Sequence, residues 1–295
     1  MLDIAATKLF QRSSTTYYIS SLFFPSTIRE AVFTLYSFVR TADNFVDSLP
    51  QDGDGLEAFE QHFWQRVGER GSEVAASANL QGKTVGLPSA QDRAIIDAFV
   101  DLFFEHHFSA DWLRAFFLSM RADLSKHTYH TMNETITYMY GSAEVIGLML
   151  QRIFRLDPAA SESARMLGRA MQFANMIRDI GVDQDLGRQY LPTETLKKFG
   201  LETLSGSEAR AKPEQFERFL RSQIEQYHLW QKKAGAGYHF LPKRLRVPVM
   251  TAAQMYTWTM SEIAINPLLV YKKQLKPSRR HVVLAALKLF LATPK

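Results

Sequence analysis

The sequence predicts an all-α protein, a helical bundle with a ligand site between facing helices, and three observations lead there. Apolar residues recur at three- and four-residue spacing over most of the chain, as in helices with one buried face. No strand-rich block and no short repeat of fixed period interrupts that pattern. Two segments far apart in sequence each carry aspartates four positions apart on otherwise apolar helices, which places polar groups inside the bundle.

The first clear helix is expected over 26–47, where Ile28, Val32, Leu35, Tyr36 and Val39 share a stripe and Pro25, Ser26 and Thr27 supply the start. Further helices are expected over 54–70, 91–106, 109–125, 133–154, 159–184, 213–236, 247–264 and 278–291. Pro158 and Pro192 punctuate the central pair, and Asn266-Pro267 breaks the C-terminal region. From Gly71 to Ala90 the chain is rich in Gly, Ser and Ala without periodicity and reads as a loop. The whole chain, 1–295, is expected to form one helical domain.

Composition narrows the function classes. Apolar residues make up 46%, with 21 Phe, 11 Tyr and 4 Trp, enough for a large core and for an apolar cavity besides. The formal charge of +5 favours anionic partners. Acids and bases nevertheless alternate over most of the chain, and zinc-finger, RNA-binding and basic-zipper patterns are missing, so nucleic acid is not an expected partner. With no cysteine, disulfides, thiolate metal sites and cysteine nucleophiles are excluded. The N-terminus lacks a signal-peptide pattern, and no stretch reaches the roughly 18–20 apolar residues that span a bilayer. A cytoplasmic location is expected. Arg279 and Arg280, ahead of the apolar tail 281–292, leave open a peripheral contact with the inner membrane surface, beside ordinary packing on the bundle.

The first aspartate pair is Asp43 and Asp47, one helical turn apart, with Arg40 on the same face. Like charges at that spacing repel, and a divalent cation would relieve them. Magnesium commonly takes one or two carboxylates together with substrate phosphate and water. Asp179 and Asp183 repeat the spacing, preceded at helical intervals by Gln172, Asn175 and Arg178 and followed by Arg188. Amide, guanidinium and carboxylate groups thus line one stripe of a helix whose other positions, Met171, Phe173, Met176 and Ile177, are apolar. Two such pairs with three arginines suit a magnesium diphosphate; an interhelical salt-bridge network is the plainer alternative. His106-His107 and His127 with His130 read as surface or loop histidines rather than a metal site.

Both segments resemble the signatures of the squalene/phytoene synthase family, the second through its ending Arg188-Gln189-Tyr190-Leu191-Pro192. Ser14-Thr15-Thr16-Tyr17-Tyr18, Met120-x-x-Asp123-Leu124 and Tyr138-x-Tyr140 running to Gly147 resemble further family elements, so the likeness spans roughly 13–275. Thr15 departs from the family's usual Lys, and Glu144 stands where Gly is frequent, either as a helix contact or as an added polar group at the cavity.

The resemblance implies an isoprenoid synthase-type bundle with a central cavity. It implies that Asp43, Asp47, Asp179 and Asp183 hold Mg2+, with Mn2+ as a substitute. Arg40, Gln172, Asn175, Arg178 and Arg188, with Ser14, Thr16 and Tyr17, would bind diphosphate, and Tyr36, Tyr138 and Tyr256 would line the reacting centre. Tyr17, Tyr18, Phe23 and Phe24 read equally well as core or cavity wall. The implied reaction joins two prenyl diphosphates head to head through a cyclopropylcarbinyl diphosphate. Carotenoid-forming bacterial or archaeal members are the nearest in pattern, so two geranylgeranyl diphosphates are the expected substrates. NADPH is not expected, and downstream carotenoid enzymes are conceivable partners. Farnesyl-using squalene, dehydrosqualene or presqualene diphosphate synthases are the alternative, as is an inactive helical assembly factor. Terpene cyclases and head-to-tail elongases fit the Arg-Gln-Tyr-Leu-Pro ending less well.

Overall fold

The computed structural model describes residues 21–71, 86–272 and 275–292. Among them the chain is mostly helical, and its β-structure is one isolated bridge between Thr128 and Gln189. The principal helices are α1 (Ser26–Asp47), α2 (Gly53–Glu69), α3 (Ala90–Glu105), α4 (Ala110–Ser125), α5 (Met132–Met139) and α6 (Val145–Ile153). There follow α7 (Ser161–Arg178), α8 (Ile180–Asp185), α9 (Thr193–Lys198), α10 (Gly206–Ala211), α11 (Pro213–Gly235), α12 (Lys243–Ile265) and α13 (Arg279–Ala292). Local chemistry fixes the starts. The side chains of Ser89, Ser109 and Thr131 accept the N–H of Asp92, Asp111 and Glu134, so a cap and a first-turn acid open α3, α4 and α5 alike.

Two apolar cores flank the site. In the first, Phe38 of α1 stacks on Phe99 of α3 at 3.8 Å between centroids and meets Phe63 edge-on at 5.4 Å. In the second, α7 packs on α11 and α12, with Phe173 edge-on to Trp230 at 4.9 Å. Each fully buried Phe contributes about 1.5–3 kcal/mol. The inner faces of α1 and α7 are left to line what lies between the two cores.

The helix expected over 133–154 is present as α5 and α6, joined by a π-helical turn at Tyr140–Glu144. The helix expected over 159–184 is interrupted. It leaves helical geometry at Asp179 (φ −98°, ψ 14°) and resumes as α8, so Asp183 comes from a second, short helix. The helix expected over 247–264 starts earlier, at Lys243, because Pro248 in the second turn removes one backbone donor without ending the helix. The short α9 and α10 were too brief to leave a periodic signal. Of the expected loop after Gly71, residues 86–89 are irregular and Ala90 already opens α3.

Close packing holds α7 against the α5–α6 pair. A Cβ on Gly168 would lie 2.4 Å from the Ala143 carbonyl oxygen, so only glycine allows the approach. Beside it, Glu144 is fully buried (0% exposed) and accepts from Arg165 Nε at 2.9 Å and Arg169 Nε at 2.6 Å. Glu144 is therefore a helix contact, not a wall of the cavity. Glu144→Ala would strand the mostly buried Arg169. It should cost about 3 kcal/mol and lower Tm by roughly 5–10 °C in thermal unfolding, with Glu144→Gln intermediate.

Candidate active site

A cavity of about 510 Å³ opens between the two cores, walled by α1, the α5–α6 pair, α7 and α12. Its lower walls are apolar, with Val32, Leu35, Ile146, Leu150, Leu167 and Met255 among them. Polar groups gather at one end. From α1, Arg40 Nη1 lies 3.8 Å from Asp43 and 3.7 Å from Asp47. Burial, and then the neighbouring Asp47 charge, push the Asp43 carboxyl up to about 7 against the pull of Arg40. About 31% of the Asp43 side chain is exposed, yet it lines the cavity, which is why it is poorly hydrated.

From α7, Asn175 Nδ2 donates to Gln172 Oε1 at 3.3 Å, and Arg178 grips Asp179 through Nε at 2.8 Å and Nη2 at 2.6 Å. From α8, Asp183 is raised well above the usual carboxylate range by burial and by Asp179, although Arg188 opposes the shift. Gly187 at φ 70° turns the chain so that Arg188 points back across the site. The Arg188 guanidinium donates to Asp47 at 3.0 Å, to the Tyr190 hydroxyl at 3.3 Å and to the Val46 carbonyl.

All the described site residues predicted from sequence line this one cavity: Tyr36, Arg40, Asp43, Asp47, Tyr138, Gln172, Asn175, Arg178, Asp179, Asp183, Arg188 and Tyr256. Ser14, Thr16 and Tyr17 lie outside the described residues. Phe24 lines the cavity, whereas Phe23 is exposed. Asp123, which the sequence leaves as either orienting a cavity group or capping a local turn, joins the cavity lining, and two further groups, Tyr190 and Lys276, were missed. Asp123, 3% exposed, accepts the hydroxyls of Tyr138 at 2.8 Å and Tyr190 at 2.7 Å. Burial pushes its carboxyl up to about 6 even though both hydroxyls and Arg188 pull it down. Its signal was present in Met-x-x-Asp-Leu, as was that of Tyr190 in Arg-Gln-Tyr-Leu-Pro. Lys276 also lines the cavity, and nothing in its neighbourhood of sequence marked it.

Among the described residues, no three His, Asp or Glu side chains converge as a closed metal shell. The donor set nonetheless fits a hard divalent cation that keeps coordination places for a ligand. It consists of oxygens from four aspartates with only three guanidinium groups between them. Asn175 Oδ1 is buried beside them and has no hydrogen-bond donor. Arg40 Nε is likewise buried without an acceptor, as a group awaiting an anionic oxygen would be.

The squalene/phytoene synthase family pattern matches residues 10–283. The chain belongs to the squalene/phytoene synthase family. As a member it is a prenyltransferase of the head-to-head type, acting on prenyl diphosphates. It is 28% identical to a 15-cis-phytoene synthase of Synechocystis sp., over 88% of this chain and 75% of that one. It is also 28% identical to a phytoene synthase of Pseudescherichia vulneris, over 87% of this chain and 80% of that one. The bundle has the isoprenoid synthase fold. It superposes on a dehydrosqualene synthase at TM-score 0.79, with 17% identity, covering 97% of this chain and 94% of that one. The squalene synthase HpnC from Alicyclobacillus acidocaldarius gives TM-score 0.71 at 21% identity, covering 88% and 91%. Among the described residues no helix is long and apolar enough to cross a membrane.

The raised carboxyl of Asp43 has a measurable consequence. A carboxyl whose folded pKa is raised gives a contribution that is present below its ordinary pKa, 3.8, and is lost as pH rises through about 7. In metal-free urea unfolding, Asp43→Asn should therefore gain stability relative to the parent as pH climbs from about 4 to about 7. A pH-independent difference would contradict the crowding described here.

Proposed function

We propose that this protein is a phytoene synthase, joining two geranylgeranyl diphosphates as one helical catalytic unit over 1–295. The observation that carries the reading is a cavity with charge at one end and a long apolar wall below. On α7 the lining residues run from Arg178 down to Ser163, about 22 Å at 1.5 Å per residue. An extended geranylgeranyl chain, at about 1.2 Å per bond, spans roughly 18 Å, and a farnesyl chain roughly 13 Å. The depth thus accommodates the longer chain below the carboxylates. Relatives named phytoene synthase support the same choice, whereas the likeness to squalene-type structures speaks for the fold alone.

Asp43, Asp47, Asp179 and Asp183 would hold Mg2+, or Mn2+, with Asn175 Oδ1 as a further oxygen. A bound divalent cation supplies charge neutralisation to the diphosphate as it departs. Arg40, Arg178 and Arg188 add fixed positive charge at the same end, and Gln172 orients Asn175 through their shared hydrogen bond. Ser14, Thr16 and Tyr17 are assigned to diphosphate on sequence grounds. Below the charges, the faces of Tyr36, Tyr138 and Tyr256 would stabilise an allylic cation, each good contact contributing roughly 0.5–2 kcal/mol. Burial and the Asp123 carboxylate raise the Tyr138 pKa, so it stays a neutral phenol. It acts here through its ring, with its hydroxyl committed to Asp123. A dry wall of this kind keeps water from quenching the cation while the second chain attacks.

Purified protein with geranylgeranyl diphosphate and Mg2+, and without reduced nicotinamide, should yield a hydrocarbon of doubled carbon skeleton with a central conjugated triene. Mass and ultraviolet spectrum check it. Turnover with farnesyl diphosphate alone would move the assignment to the squalene-type branch. Asp43→Asn and Asp179→Asn should each lower kcat by roughly 10²–10³-fold with unchanged circular dichroism, and chelation of the metal should stop turnover.

A further inference from the structure

Helix α13 has two apolar faces and only one of them is covered. Val282, Ala285, Ala286 and Leu289 are buried, Val282 and Ala285 against Met255 of α12, which on its other side lines the cavity. Val283, Leu284, Leu287, Phe290 and Leu291 recur at three- and four-residue spacing on the opposite side. Leu284 is 58% exposed, Phe290 56% and Leu291 82%. A helix that is apolar all round is ordinarily buried all round. Here a stripe along a helix about 21 Å long is left to solvent.

Charge says what covers it. Beyond Glu262 the chain carries no acidic residue, while it carries Lys272, Lys273, Lys276, Arg279, Arg280, Lys288 and Lys295. Arg279, Arg280 and Lys288 are exposed on α13 itself. Lys243 of α12 lies over the Phe290 ring at 4.9 Å, and Arg244 beside it is exposed. An apolar stripe on a helix that carries cations and no acid of its own matches a surface with negative charge outside and hydrocarbon beneath. A second copy of this face would meet it with like charge.

We propose that α13 is a docking surface for anionic lipid bilayers, lying in the plane of the interface with Leu284, Leu287, Phe290 and Leu291 in the acyl boundary. Its cations then meet lipid headgroups. The helix follows directly on Lys276 and Pro277, which line the cavity, so docking sets the cavity beside the phase in which a prenyl product dissolves. That use rests on the prenyltransferase reading; the docking itself does not.

The test is flotation of the full chain with vesicles of phosphatidylcholine, with and without about one-third phosphatidylglycerol. The parent should float with the anionic vesicles and at least roughly tenfold less with pure phosphatidylcholine. R279E/R280E and, separately, L287S/F290S/L291S should each lower partition into anionic vesicles roughly tenfold or more, with unfolding transitions and turnover of detergent-dispersed substrate unchanged. A parent that fails to float, or variants that float as well as the parent, would overturn the proposal. So would a dimer in sedimentation equilibrium that the triple substitution dissociates, since a second copy would then cover the face. Loss of turnover with intact flotation would count against the reaction and leave the docking standing.

Discussion

Repulsion among aspartates at the head of an apolar cavity is the constraint around which this fold is arranged. Asp43, Asp47, Asp179 and Asp183 are separated by more than 100 residues of sequence between the pairs, yet they line one space. Burial, and then their mutual repulsion, raises Asp43 and Asp183. Three arginines offset part of it, each in a different way. Arg40 lies between the carboxylates of α1, Arg178 is committed to Asp179, and Arg188 reaches from one motif to the other. What remains is an excess of oxygen ligands. Burying that excess is unfavourable on its own, which is the signature of a site completed by a ligand rather than of a structural ion network.

Completion by a ligand requires that the two motifs keep their separation when the site is empty. The frame supplies this through packing behind each motif, together with the direct bond from Arg188 to Asp47. On the α1 side, Phe38 and the rings of α2, α3 and α4 hold the helix from behind. On the α7 side, Gly168 brings the backbone against Ala143, and Glu144 ties Arg165 and Arg169 to the π-helical turn. The break at Asp179 then lets Asp183 come from a separate helix, and the turn at Gly187 returns Arg188 to Asp47. Arg188 and Asp123 together connect charge to wall: Tyr190 takes a bond from one and gives a bond to the other.

Much of this was legible in the sequence, for a physical reason. Carboxylates on an apolar helix break the amphipathic pattern, so Asp43, Asp47, Asp179 and Asp183 stood out against Val39, Val46, Met176 and Ile177. The long helices were equally legible, since their stripes persist over several turns. Features set by tertiary contact were not. Asp123 reads as either a cavity-orienting group or a local turn cap, and only Tyr138 and Tyr190 closing over it decide between the two. Lys276 reaches the cavity only because the chain after α12 folds back. The interruption at Asp179 left no mark, because its neighbours continue the apolar period. Glu144 was visible as a departure, but whether it faced the cavity or a helix depended on partners more than twenty residues away.

On the proposed reaction the same cavity stabilises opposite charges at two levels, and the hydrogen-bond network would keep them apart. Negative charge is concentrated where Arg40, Arg178 and Arg188 lie. One step down, Asp123 is a further buried carboxylate, and a bare anion there would draw a carbocation out of position. Two phenolic hydroxyls and Arg188 share its charge instead. In doing so they commit the Tyr138 and Tyr190 hydroxyls to Asp123. Aromatic faces attract a cation without being able to bond to it covalently. A wall of that kind holds a reactive cation without consuming it, whereas a carboxylate left uncovered at the same place would trap it.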